Sequence, residues 1–89
     1  MQFTEARNLD LAAATDEQLV AAWHAYAGQI SYHHADDSAK EWGLAQALYP
    51  TAKKIETMIA ERGLPRPTGN YLMGYGTRIE WPADPGTPA

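Results

Sequence analysis

Eighteen residues in a row, 18–35, carry no Asp, Glu, Lys or Arg. A chain that contains such a stretch must hide most of it or leave an unusually bland surface. Within it, Leu19, Trp23, Tyr26, Ile30 and His33 recur at spacings of four and three, the stripe of an amphipathic helix. The positions opposite the stripe are Ala21, Ala25, Gly28 and Tyr32, mostly small. A helix that is apolar or small around most of its circumference is usually covered on more than one side.

The start of this helix is written into the residues before it. Thr15-Asp16-Glu17-Gln18 fits a capping box, in which the threonine hydroxyl accepts from the Gln18 amide and the glutamine side chain reaches back. Asp16 and Glu17 also place negative charge at the positive end of the helix dipole. The helix is expected to run to about His34.

A second helix is expected to follow a short connection at residues 35–37. Ser38-Ala39-Lys40-Glu41 repeats the capping-box pattern. Ala45, Leu48, Ala52, Ile55 and Ile59 form its stripe, flanked by Trp42, Leu44 and Met58. Pro50 interrupts the stripe and predicts a kink, since an interior proline removes a hydrogen bond and crowds the preceding turn. Gly63 suits a left-handed C′ position, Leu64 can fold back on Ile59, and Pro65 blocks continuation.

Two segments read as β structure. A short strand is expected near residues 2–6. Beyond a loop at 65–70, Tyr71, Met73, Tyr75, Thr77, Ile79 and Trp81 alternate with other residues, the period of a strand. Gly74 and Gly76 allow a bulge or a hairpin. The fold class expected is therefore α+β: a two-helix antiparallel hairpin, its second helix kinked at Pro50, with a small C-terminal β element that can pair with the N-terminal segment. Eighty-nine residues fit one small domain, 1–82, followed by a flexible tail at 83–89.

Composition narrows function by exclusion. No cysteine is present, so thiolate metal sites and cysteine nucleophiles are out. The formal charge of −4 argues against coating nucleic acid or an anionic membrane. There is no run of about 18 apolar residues to span a bilayer, and residues 1–7 lack the basic-then-apolar pattern of a secretory signal. A cytoplasmic protein is expected.

The chemistry-bearing residues give no convergent site. His33, His34 and Asp37, with His24 upstream, are the residues a metal ion would use, but His33 and His34 diverge by about 100° on a helix. Ser31 near these histidines is not a triad by adjacency alone, because triad members come from separate elements. Gly74-Tyr75-Gly76 lacks the third glycine and following helix of a phosphate loop. Lys53, Lys54, Arg62 and Arg66 make a modest basic patch, and Lys40 opens the second helix, which is thin equipment for nucleic acid. No metal and no cofactor are expected.

What remains is recognition. Tyr71, Tyr75 and Trp81 lie on one side of the expected strand, and Tyr and Trp are enriched in binding hot spots. Asp36, Asp37 and Glu41 form an acidic group that can steer a basic partner, although acids before a helix also stabilise that helix. Ala21, Ala25, Gly28 and Tyr32 are the candidate dimer or helix-packing face. The function expected is non-enzymatic: a small acidic protein that binds a protein partner as an inhibitor or adaptor, for example a phage or mobile-element inhibitor of a host machine. A second copy of the chain is one candidate partner. The alternatives are a regulator associated with nucleic acid and a small metal-binding protein using His33, His34 and Asp37.

Overall fold

The computed structural model describes residues 1–73 and Trp81. It is helical. A short helix α1 (Phe3–Arg7) leads through a single 3₁₀ turn (Leu11–Ala13) to two long helices, α2 (Asp16–His34) and α3 (Ala39–Glu61). These two form an antiparallel hairpin, and α1 packs against α2.

The start of α2 follows the capping-box reading atom for atom. The Gln18 amide donates to Thr15 Oγ1 at 3.1 Å, and the Thr15 amide donates to Gln18 Oε1 at 2.9 Å. The end of α3 is a Schellman turn. Gly63 has φ of 72°, its amide reaches the Ala60 carbonyl at 3.0 Å, and the Leu64 amide reaches the Ile59 carbonyl at 3.2 Å. Only a residue without Cβ enters that left-handed region at little cost. Helix α3 continues through Pro50, where the missing N–H leaves the Gln46 carbonyl without its helical donor.

The core is the seam between the long helices. Leu19, Trp23, Tyr26 and Ile30 of α2 are buried against Ala45, Ala52, Ile55 and Ile59 of α3, as both stripes require. Burial pushes the Tyr26 phenol above its ordinary value of 10.0, although Arg7 and a hydrogen bond with Thr51 pull it down.

The α+β expectation is overturned among the described residues. The N-terminal segment is helix α1, not a strand. Phe3 and Ala6 are three apart, so a helix sets both on one side: Ala6 is buried and the Phe3 ring meets Tyr26 edge-on, centroids 5.1 Å apart. An N-terminal strand would therefore be lost as a pairing partner for any C-terminal one. No strand occurs among the described residues. The Leu72 amide donates to the Ser31 hydroxyl at 3.0 Å and not to a neighbouring strand. Residues 74–80 and 82–89, which include most of the expected β element and the expected tail, lie outside the described residues.

Candidate functional site

The connection between α2 and α3 gathers a group of polar and aromatic side chains. Ser38 caps α3 by accepting from the Glu41 amide at 3.2 Å. Glu41 does not close the box. Its carboxylate turns across the connection to His33 Nδ1, 2.5 Å away. Gln29 Nε2 lies 3.1 Å from the other ring nitrogen of His33. With the glutamine amide donating there, the ring proton sits on Nδ1 and is given to Glu41.

His34, one residue on, faces another way. It hydrogen-bonds the Tyr49 hydroxyl and meets the Trp42 ring edge-on, centroids 4.6 Å apart. The two histidines thus serve different neighbours, as their 100° divergence requires. Among the described residues no three of His, Asp and Glu stand close enough together to hold a metal ion. Asp37 joins neither histidine through a hydrogen bond or an ion pair.

Around these internal contacts three large apolar side chains are exposed. Tyr32 is 70% exposed, Trp42 46% and Leu44 43%. An open cleft is lined by Tyr32, Ala35, Asp36 and Glu41. Asp36 and Asp37 are exposed, and no Lys or Arg pairs with either among the described residues. The acidic residues named from sequence are therefore brought together with exposed aromatic area that sequence had assigned elsewhere.

Two residues of the other expected binding face, Tyr71 and Trp81, pack against the core. Tyr71 is half-buried. Its hydroxyl meets His24 Nδ1 at 2.9 Å, and its ring meets Trp23 edge-on at 5.7 Å. Trp81 packs against the core, with the Arg66 guanidinium 6.0 Å over its ring. Tyr75 lies outside the described residues.

The small face of α2 is covered in part by the same segment. A Cβ on Gly28 would meet the Tyr71 ring at 3.8 Å. Ala21 and Ala25 are half-buried, and Tyr32 alone of the four is exposed. The apolar circumference of α2 is thus shielded by α3, α1 and residue 71 of its own chain.

The basic residues are largely occupied within the fold. Arg62 donates to the Ala14 carbonyl at 2.9 Å and to Asp16 at 3.0 Å. Lys53 stands 3.9 Å from Glu56. Glu56 itself was not foreseen as a partner of any residue. It is 4% exposed, and the Trp23 indole donates to it at 2.9 Å. The two are 33 positions apart, so no local pattern announces the contact.

No family model, no curated protein and no solved structure matches the chain. Among the described residues no helix is long and apolar enough to cross a membrane.

Proposed function

We propose that this is a non-enzymatic binding protein that occupies a surface on a protein partner, as an inhibitor or adaptor, through the α2–α3 connection. One observation carries the reading. Of the five large hydrophobic residues exposed among those described, three (Tyr32, Trp42 and Leu44) fall between residues 32 and 44, either side of the connection. Exposed apolar area concentrated in one place marks interaction sites on small proteins, and Tyr and Trp supply most of the energy at such sites. Asp36 and Asp37, which no Lys or Arg pairs among the described residues, favour a partner with a basic rim, chiefly through faster encounter.

A photo-crosslinking amino acid placed at residue 32, 42 or, as control, 17 in the native host tests this. Residues 32 and 42 should yield the same single protein adduct, and residue 17, at the opposite end of α2, should not. Adducts of equal yield from all three positions, or none from 32 and 42, would remove the α2–α3 connection as the binding surface.

A further inference from the structure

We infer that residues 69–72 form a strap that lifts from α2 as a unit while the α2–α3 pair stays folded. The strap contributes no helical or strand hydrogen bonds. Two polar contacts tie it to α2: the Tyr71 hydroxyl with His24 Nδ1 at 2.9 Å, and the Leu72 amide with the Ser31 hydroxyl at 3.0 Å. The Tyr71 ring lies beside two glycines, and only at Gly69 would a side chain collide with it. A Cβ on Gly28 would lie 3.8 Å from the ring, and one on Gly69 would lie 2.2 Å from it. Pro67 before the strap is buried, and Met73 after it packs on the core.

The strap is therefore held at both ends and pinned between them by one ring and two hydrogen bonds. Leu72, its last residue, is 57% exposed and adds little to the packing. Segments with few buried apolar contacts open at a lower free energy than the core they lie on. Lifting the Tyr71 ring breaks both polar contacts and uncovers Gly28 and the edge of Trp23 without disturbing Leu19, Ile30, Ile55 or Ile59. The strap thereby opens over Gly28 separately from the α2–α3 seam.

Amide hydrogen exchange of the full chain across a urea series reads this directly. Leu72 should be protected, and its exchange should depend weakly on urea, while Ile55 should follow global unfolding. Tyr71→Phe, which keeps the ring and removes the contact with His24, should speed Leu72 exchange about three- to tenfold and leave Ile55 unchanged. Ser31→Ala should act in the same direction. Three results would overturn the strap: Leu72 exchanging as in a free peptide, Leu72 sharing the urea dependence of Ile55, or Tyr71→Phe accelerating both amides equally or failing to fold.

Discussion

The two ends of the α2–α3 pair use similar residues in opposite ways. At the end where α2 begins and α3 finishes, charged and aromatic side chains are consumed internally. Arg62 ties the Ala14 carbonyl to Asp16, and Trp23 donates to buried Glu56. At the connecting end, His33 and His34 are also engaged, by Glu41 and Tyr49, yet Tyr32, Trp42 and Leu44 remain exposed. The difference is one of cover. Helix α1 and the strap lie against α2 along its buried length, whereas at the connection the polar contacts brace the turn and leave its apolar neighbours open. Stability and recognition are thereby separated along one pair of helices.

The largest test of that separation is in the seam. Ile55→Ala should cost about 2–5 kcal/mol in urea unfolding, because a fully buried aliphatic chain leaves a cavity that surrounding helices fill only partly. A loss under about 1 kcal/mol would mean the seam is loosely packed. Trp23→Phe should cost about 1–3 kcal/mol, because the hydrogen bond from the indole to the buried Glu56 carboxylate is lost.

Gly63→Ala should cost about 1 kcal/mol, since φ there is 72°. An unchanged midpoint would show that α3 ends elsewhere. A smaller effect is confined to alkali. Below pH 10.0 the Tyr26 phenol stays neutral in both states, so its contribution to stability is full. Because its folded value is raised by burial, the unfolded chain ionises first, and stability falls as pH rises through the folded value. Tyr26→Phe should flatten the slope of stability against pH above pH about 10. The smallest change is expected at the connecting end. Tyr32→Ser should stay within about 0.5 kcal/mol of the parent while abolishing the adduct formed from residue 42. A large loss of stability there would break the contrast between the ends.

Much of the helical framework was legible because its signals are local. The Thr15–Gln18 box, the Gly63 turn and the two stripes all rest on groups within a few positions of each other, where helix geometry leaves little choice. The second capping box was half legible. Ser38 caps as expected, but the Glu41 carboxylate accepts from the His33 ring across the connection instead of from the Ser38 amide. The N-terminal helix carried only a weak signal, the three-residue spacing of Phe3 and Ala6. At the site, Asp36, Asp37 and Glu41 were readable as acids beside a helix start. The exposure of Trp42 was not, because its place in the seam or outside it depends on how α3 is rotated against α2.

The amino-acid order by itself determined where the long helices start and stop and which stripe each turns to the other, because backbone hydrogen bonding and side-chain periodicity act over one or two turns. Only the tertiary structure decided that Tyr71 lies under His24 and over Gly28, that Trp23 serves Glu56, and that exposed aromatic area collects at the α2–α3 connection. Those outcomes depend on contacts between residues 33 and 47 positions apart. Whether such pairs meet is set by how the whole chain packs, and no local pattern encodes it.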